Sequence, residues 1–137
     1  MIFGTESNEI IKEYSKNPVS NFEMKDFTVK YHEGNFICGD DITVFLKINK
    51  NKIDDYSYVG NTSTVSLASA GFLSEFLIGK KIDEVLKWDY GFLVDNGLEV
   101  SNKRKRAAIL PILAVRNAIH EYLDDKKVDD FDDLIEE

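Results

Sequence analysis

Cysteine, proline and histidine are scarce in this sequence. One cysteine, two prolines and two histidines occur in 137 residues. A single cysteine cannot form an intrachain disulfide, which suits a reducing cytosol. The apolar runs are too short and interrupted to span a bilayer, and the first residues lack the basic and apolar regions of a secretory signal. These absences predict a cytoplasmic protein that does not enter a membrane.

Basic residues are outnumbered by acidic ones. The chain has 17 Lys and Arg against 25 Asp and Glu, which gives a formal net charge of −8 at pH 7. A net negative charge argues against general nucleic-acid binding and favours solubility. The local exception is Lys103-Arg104-Lys105-Arg106, called here the basic run. It could be a solvated segment, a protein-docking patch or an anion site.

The residues that are present are typical of an ordered globular protein. Hydrophobic residues make up 43% of the chain, and they include nine Phe and six Tyr. A chain of this length can bury one sizeable core. Residues 1–137 are therefore expected to form a single domain, with an acidic C-terminal tail over about residues 124–137.

Three segments near the middle alternate between apolar and polar residues, which predicts β-strands. They are residues 27–32, 42–48 and 53–59. In the second segment, alternation places Thr43, Phe45 and Lys47 together on one side. The connections are short and turn-like, which predicts an antiparallel meander of three strands packed against several helices. The expected fold class is α+β.

Helical periodicity precedes and follows these strands. Residues 8–16 read as a helix that Asn17-Pro18 ends, because the residue before proline is pushed out of the helical region. A second helix, rich in Ser, Ala and Gly, begins after the strands. Thr62 or Ser63 can cap its N-terminus, and Gly79 suits the position just past its end.

The last third of the chain has one strong helical pattern. Asp83 can cap a short helix, and the segment around Gly91 is expected to be irregular. A long helix is predicted to begin close to Ala107, because Pro111 is tolerable only in the first helical turn. The tail is expected to be a solvated acidic face. The apolar residues that could give it a short docking helix are Val128, Phe131, Leu134 and Ile135.

Cys38-Gly39-Asp40, between the first two strands, is the main chemical candidate. A thiolate and a carboxylate two residues apart, on a backbone freed by Gly39, could hold a metal ion or present a reactive sulfur. Cys38 could equally be a buried structural residue, and Asp40 could only cap a turn. Further ligands, if the fold brings them close, are Asp41, His32 and His120.

Two helix N-termini could converge on this turn. One lies at Ser63 and the other at Ala107. Helix N-termini carry free N–H groups and partial positive charge, which stabilise a thiolate or another anion. For Ser63 itself, capping its own helix is the simpler role.

Five segments stand out in this order along the chain. They are Tyr14-Ser15-Lys16-Asn17-Pro18, Cys38-Gly39-Asp40, Gly60-Asn61-Thr62-Ser63-Thr64-Val65-Ser66-Leu67-Ala68-Ser69-Ala70, Gly79-Lys80-Lys81-Ile82-Asp83-Glu84-Val85 and Arg104-Lys105-Arg106-Ala107-Ala108-Ile109-Leu110. In this order they resemble the IscU/NifU/SufU family of iron–sulfur cluster assembly scaffolds. The first is similar to the family's helix ending in Asn-Pro, and the second matches its first ligand motif, intact. The others resemble its Gly-x-Gly-Cys-Ala-Ile-Ser-x-Ala-Ser-Ala motif, its Gly-Lys segment and the segment of its third cysteine.

The resemblance also shows what this chain lacks. The family's second and third cysteines fall on Ser63 and Ala107, and the position before the third, often histidine, falls on Arg106. A 2Fe–2S cluster, or a zinc site of the SufU kind, usually needs four ligands. Of the family's ligands this chain keeps Cys38 and Asp40. A stable cluster within one chain is therefore not expected.

The resemblance implies an iron–sulfur cluster assembly scaffold-like protein with a degenerate ligand site, and not an enzyme. Cys38 would accept sulfur as a persulfide, or would hold iron weakly together with Asp40. Ser63 and Arg106 are weaker candidates for the site. A cation at Arg106 would lower the pKa of Cys38 and repel a metal ion, which favours sulfur chemistry over metal binding.

The same resemblance implies the cargo and the partners. Iron or an iron–sulfur cluster is the implied cofactor, and zinc is a weaker alternative. The implied partners are a cysteine desulfurase and apo-protein recipients. Two other classes of function stay open. One is a non-metal interaction or regulatory protein that binds a desulfurase. The other is a persulfide carrier for sulfur transfer, such as RNA thiolation, in which the basic run would meet phosphate.

Overall fold

The structure, a computed structural model, describes residues 5–35 and 39–135. The elements are, in chain order, α1 (Thr5–Lys16), β1 (Val29–Asn35), β2 (Asp40–Asn49), β3 (Lys52–Val59), α2 (Thr64–Leu77), α3 (Ile82–Val85), α4 (Tyr90–Asp95), a short 3-10 helix (Asn102–Arg104), α5 (Lys105–Leu123) and α6 (Phe131–Leu134). Cys38 lies outside the described residues, and so do the predictions that concern its side chain. The predicted α+β class is confirmed.

The sheet is the meander that alternation predicted. Its strand order is β1-β2-β3, and both neighbouring pairs are antiparallel. β1 and β2 reach further toward their connection than the pattern indicated, so that Asn35 lies opposite Asp40 at the end of the ladder. Asp40 is therefore the first residue of a strand. Because side chains two apart share a face, Asp40 lies on the face of Ile42, which is fully buried.

The buried face of the sheet packs against helices. α5 contacts β1 and β2, while α2 contacts α5, α1 and β3. The other face is covered in part as well. Phe45, which alternation grouped with Thr43 and Lys47, is only 3% exposed. The centre of the Phe27 ring lies 5.6 Å from the centre of the Phe45 ring, so Phe27 shields Phe45 from solvent.

The first turn of α2 confirms one of the two predicted caps. Ser63 is the N-cap, and its Oγ accepts a hydrogen bond of 3.3 Å from the N–H of Ser66. Small residues in this half of the helix let α5 approach closely, since the Ser69 hydroxyl donates to the Ala108 carbonyl at 2.6 Å. α2 and α5 are thus joined by side-chain to main-chain hydrogen bonds as well as by apolar packing.

The predicted start of α5 was wrong. The helix begins at Lys105, so Pro111 lies inside it and not in its first turn. A proline at this position removes the hydrogen bond that its N–H would give to the carbonyl four residues earlier, which is that of Ala107. The Ser66 hydroxyl lies 2.9 Å from that carbonyl oxygen. A hydroxyl of α2 therefore lies within hydrogen-bond distance of the carbonyl that Pro111 leaves without a helical donor, and its single proton is shared between this carbonyl and Asp40 Oδ2, which lies 2.7 Å away.

Two short helices also differ from the sequence predictions. Asp83 lies within α3, whose N-cap is Lys81 and has no side-chain cap. The segment around Gly91, expected to be irregular, forms α4. Its N-cap, Asp89, accepts a hydrogen bond of 3.3 Å from the N–H of Phe92. The capping residue was present in the sequence, but the helix is too short for a periodic pattern.

The acidic tail was expected to be solvated, but part of it packs against the core. The predicted docking helix exists as α6, and Asp130 and Asp133 form a capping box at its start. Leu134 is 2% exposed and belongs to the core. Among the described helices, none is long and apolar enough to cross a membrane.

Tyr56 and Tyr58 offer a matched test of the core. Both are 1% exposed. The Tyr56 hydroxyl donates to the Ala70 carbonyl at 2.8 Å, whereas that of Tyr58 has no hydrogen-bond partner in the described part of the chain. Burial raises the pKa of Tyr58 to about 12.

We expect Tyr56→Phe to lower the free energy of unfolding by about 1 kcal/mol, because it removes a buried hydrogen bond. Tyr58→Phe should leave that free energy unchanged or raise it, because it removes an unsatisfied buried hydroxyl. Urea unfolding of both variants beside the parent chain measures the difference. Equal losses in the two variants would contradict the hydrogen bonding described above.

Candidate functional site

Three segments that are distant in sequence meet at one end of the sheet. They are the start of β2 at Asp40, the N-terminus of α2 at Ser63 and the first turns of α5 at Ala107. Ser66 joins them, because its Oγ lies 2.7 Å from Asp40 Oδ2 and 2.9 Å from the Ala107 carbonyl oxygen. The convergence predicted for these three points is present in the structure.

Both carboxylate oxygens of Asp40 are engaged. Oδ1 accepts a hydrogen bond of 2.9 Å from the Ser63 N–H, and Oδ2 lies 3.0 Å from the Ser63 hydroxyl as well as 2.7 Å from that of Ser66. The residue is 5% exposed. A carboxylate at a helix N-terminus is favoured by the free N–H groups and the helix dipole. In this arrangement Asp40 ties β2 to the first turn of α2.

The loop before α2 is pressed against β2 and requires glycine. Gly60 has φ of +150°, and a Cβ at this position would lie 2.4 Å from the Asp41 carbonyl oxygen. Asn61, which follows Gly60, is held against Asp41 by two hydrogen bonds. The Asp41 N–H donates to the Asn61 carbonyl at 3.0 Å, and the Asn61 N–H donates to Asp41 Oδ1 at 3.1 Å. These contacts fix Ser63 relative to Asp40.

A depression of about 290 Å³ lies between α2 and α5. Ser63 and Ala107, where the resembling family has its second and third cysteines, both line it. Two cations of the basic run, Lys103 and Arg104, line it too. Both are exposed. The depression therefore combines a helix N-terminus with positive charge and contains no thiol from these two positions.

The other half of the basic run faces elsewhere. Lys105 Nζ lies 5.0 Å from the centre of the Tyr90 ring. The Arg106 guanidinium lies 4.8 Å from the centre of the Phe131 ring and 3.9 Å from Asp132 Oδ1. Arg106 is thus engaged with α6, and the predicted position of Arg106 beside Cys38 involves a residue outside the described part of the chain.

One of the two histidines lies near the site, because His32 lines a depression of about 370 Å³ together with Asp40 and Asp41. His32 is exposed, and its Nε2 lies 3.9 Å from Asp41 Oδ1. His120 lies toward the other end of α5, where both of its ring nitrogens have carboxylate partners. Within residues 5–35 and 39–135, no group of three or more His, Cys, Asp and Glu side chains could hold a metal ion.

Two residues of the site were missed in the sequence. Ser66 could have been noticed, because it follows the N-cap Ser63 by three residues and so shares its side of α2. Asn35 gave no local signal. It lies opposite Asp40 and is 1% exposed, and its amide nitrogen and oxygen have no partner in the described part of the chain.

Solved structures with similar folds include NifU-like and SufU proteins. The SufU protein of Fervidobacterium islandicum matches 81% of this chain and 94% of its own, with a TM-score of 0.72 and 23% identity. The N-terminal part of a NifU-like protein from Brucella abortus matches 89% of this chain and 96% of its own, with a TM-score of 0.71 and 19% identity. At these identities the likeness establishes the fold.

Residues 5–129 match the NifU-like N-terminal domain family, and the chain belongs to this family. The iron–sulfur cluster assembly scaffold protein IscU of Thermotoga maritima is 31% identical over 85 residues, which cover 62% of this chain and 60% of that protein. The zinc-dependent sulfurtransferase SufU of Bacillus subtilis is 27% identical over 78 residues, covering 57% and 52%. The matched regions thus span between half and two thirds of these relatives.

The hydrogen bond between Ser66 and the Ala107 carbonyl generates a prediction. Ser66→Ala should lower the free energy of unfolding by about 1–3 kcal/mol, because it removes the hydroxyl that the buried Ala107 carbonyl and the Asp40 carboxylate share. In a Pro111→Ala background the loss should be smaller by about 1 kcal/mol, because the alanine introduced there supplies the missing N–H. Urea unfolding of the two single variants and the double variant measures this coupling.

Ser69→Ala is the matched control. Its hydroxyl also donates to a carbonyl of α5, that of Ala108. The residue four positions after Ala108 is Ile112, which has an N–H of its own. Ser69→Ala should therefore couple weakly to Pro111→Ala. Additive effects for Ser66→Ala and Pro111→Ala would contradict the replacement of one donor by the other.

Proposed function

We propose that this chain is an iron–sulfur cluster assembly scaffold-like protein whose ligand site is degenerate, and that it is not an enzyme in its own right. The observation that carries the proposal is the depression between α2 and α5. Ser63 and Ala107 line it at the positions of the family's second and third cysteines. Family membership supports the assembly role, and the donor set supports the degeneracy.

The described residues do not fit a resident cluster or a zinc ion. A cluster needs about four ligands, mostly thiolates, and a zinc site also needs four. Ser63 and Ala107 provide no thiolate, and the two oxygens of Asp40 accept hydrogen bonds from serines. Iron would be held at most weakly, by Cys38 together with a carboxylate freed from these bonds.

Sulfur acceptance by Cys38 is the favoured activity. In this step the Cys38 thiolate attacks the outer sulfur of a persulfide on a cysteine desulfurase. A new S–S bond forms on Cys38, the donor S–S bond breaks, and the desulfurase cysteine leaves as a thiolate. No external oxidant or reductant is needed. Apo-proteins under assembly would be the recipients, and a cytoplasmic location is in keeping with the reduced thiol.

The charge around the depression between α2 and α5 favours an anion over a metal cation, whereas the depression lined by Asn35 and Gly39, which flank Cys38 in sequence, carries the carboxylates of Glu33, Asp40 and Asp41. Lys103 and Arg104 are exposed at the rim of the first depression. Positive charge stabilises a thiolate or persulfide anion and repels Fe²⁺. The same two cations would meet phosphate if the persulfide were passed to RNA. The net charge of −8 makes a general nucleic-acid partner less favourable than a protein.

The hydrogen bonds of Asp40 favour a second candidate function. A carboxylate that accepts from Ser63 and Ser66 has a structural role without any metal. A protein that keeps the scaffold fold and binds a desulfurase, but has given up sulfur and metal chemistry, would retain these contacts. If Cys38→Ser leaves desulfurase binding and cellular function unchanged, this second candidate is preferred.

The sulfur-acceptance proposal predicts persulfide formation on this chain. After incubation with a cysteine desulfurase and free cysteine, intact-mass spectrometry should show one added sulfur atom that a thiol reductant removes. Cys38→Ser should take up none, and this control is complete because the chain has one cysteine. Absence of the added sulfur on the parent chain, with a desulfurase that is active in the same tube, would count against sulfur acceptance.

The degenerate-site proposal predicts a gain of function. In Ser63→Cys/Ala107→Cys, two thiols are added to one depression, so anaerobic incubation with iron, sulfide and a desulfurase should yield a visible-absorbing cluster that the parent chain does not hold. Ser63→Cys/Ala114→Cys is the control. It has the same number of thiols, but the second one lies at a buried position of α5 outside the depression. A stable cluster at about one per chain on the parent protein would contradict the degeneracy.

A further inference from the structure

The C-terminal segment returns along the helix that precedes it. α5 ends at Leu123, and its C-cap Asp124, with φ of +53°, turns the chain back. Residues 124–135, called here the strap, then reach Arg106 in the first turn of α5, where Phe131 lies under the guanidinium at 4.8 Å. Between Asn117, which also contacts the strap, and Arg106 the helix rises by about 16 Å.

One strap residue, Asp129, is bound far more fully than its neighbours. Its Oδ2 lies 2.9 Å from Arg116 Nε and 3.0 Å from His120 Nε2. Its main-chain N–H donates to Asn117 Oδ1 at 2.7 Å, and its carbonyl accepts from Asn117 Nδ2 at 3.0 Å. Three side chains from one face of α5 thus bind the carboxylate and the backbone of a single residue.

The groups that bind Asp129 are themselves held in place. Arg116 also donates to the Trp88 carbonyl at 2.8 Å, and Asn117 also donates to Glu33 Oε2 at 3.0 Å. The second ring nitrogen of His120 lies 2.7 Å from Asp125 Oδ2, and this hydrogen bond holds the pKa of Asp125 below its usual range. The side chains of Arg116 and His120 are 13% and 9% exposed. Arg116 and Asn117 are therefore positioned by residues outside the strap, and His120 by a strap residue other than Asp129.

The chemistry of the pocket around Asp129 is specific. An amide that pairs with both the N–H and the carbonyl of one residue recognises an extended main chain. A guanidinium and an imidazole on the same carboxylate oxygen recognise a negative charge. A glutamate would place its carboxylate one methylene further out and would lose this alignment. The ligand class is an extended segment that presents an aspartate.

We infer that Asp129 is the latch of the strap, and that the latched strap holds Arg106 against Phe131, away from the depression beside Ala107. Release at Asp129 frees the cation next to the candidate site and uncovers the core residues under Leu134. An extended acidic segment of a partner protein, with an aspartate that takes the place of Asp129, is the trigger that the pocket chemistry fits. This inference holds whether or not Cys38 accepts sulfur.

The test compares Asp129→Asn with Asp132→Asn in the full chain. Both variants remove one negative charge from the strap. Asp132 is exposed and makes one long contact of 3.9 Å with Arg106, whereas Asp129 lies 2.9 Å from Arg116. In Asp129→Asn, amide exchange at Asp133 and Ile135 should accelerate by about tenfold or more, because a charged buried hydrogen-bond network is lost. The Arg106 side-chain protons should lose their ring-current shift in the same variant. Asp132→Asn should keep both properties.

Two further measurements separate this result from general destabilisation. Amide exchange in β2 and α2 should be unchanged in Asp129→Asn. Phe131→Leu should remove the ring-current shift while leaving strap exchange slow, which calibrates the Arg106 signal. Unchanged strap exchange in Asp129→Asn would overturn the latch. A loosened strap with an unaltered Arg106 signal would overturn the link between the latch and Arg106.

A peptide experiment tests the ligand class. A synthetic peptide with the sequence of residues 125–135 should bind the Asp129→Asn chain, whose own strap is loosened, and should shift the resonances of Arg116 and His120. The same peptide with asparagine in place of Asp129 should bind at least tenfold more weakly, since it lacks the charge. Equal binding of the two peptides, or binding of neither, would overturn aspartate recognition by this pocket.

Discussion

The candidate site depends on the hydrogen bonds that Asp40 and Ser66 make with each other and with their neighbours. A buried carboxylate is costly unless donors surround it. Here the donors come from the first turn of α2, and Ser66 also reaches the carbonyl of Ala107 in α5. Three of these contacts join β2 to the start of α2 and the fourth joins α2 to α5, so the sheet and two helices are fixed relative to one another at this end. Gly60 contributes by allowing the loop to approach β2 closely.

Pro111 is part of the same arrangement. It leaves the Ala107 carbonyl without a helical donor, and a hydroxyl from the neighbouring helix occupies that place. Under the proposed function, a region that other family members use for ligation has become a hydrogen-bonded joint in which Ser63 replaces a thiolate. Hydrogen bonds between β2, α2 and α5 hold these elements together at this end of the sheet.

Much of the fold could be predicted from local patterns, while contacts between distant segments could not. Alternation located the strands, and the order of motifs identified the family and the positions of Asp40, Ser63 and Ala107. The start of α5 was missed because the rule for proline assumes that no other donor reaches the freed carbonyl. The burial of Phe45 and the role of Asp129 depend on residues far along the chain. No local pattern signals either of them.

α5 connects the candidate site and the strap. Its first turn contributes Ala107 and the basic run, while its second half binds Asp129 through Arg116, Asn117 and His120. Because a helix is stiff, a change at one end is not transmitted by bending it. The strap is instead the physical link, since it is attached to α5 at Asp129 and contacts Arg106 near the start of the same helix. The acidic residues of the strap bind Arg116 and Arg106 in this structure. An acidic segment of a partner protein would offer the same carboxylate groups and could take their place.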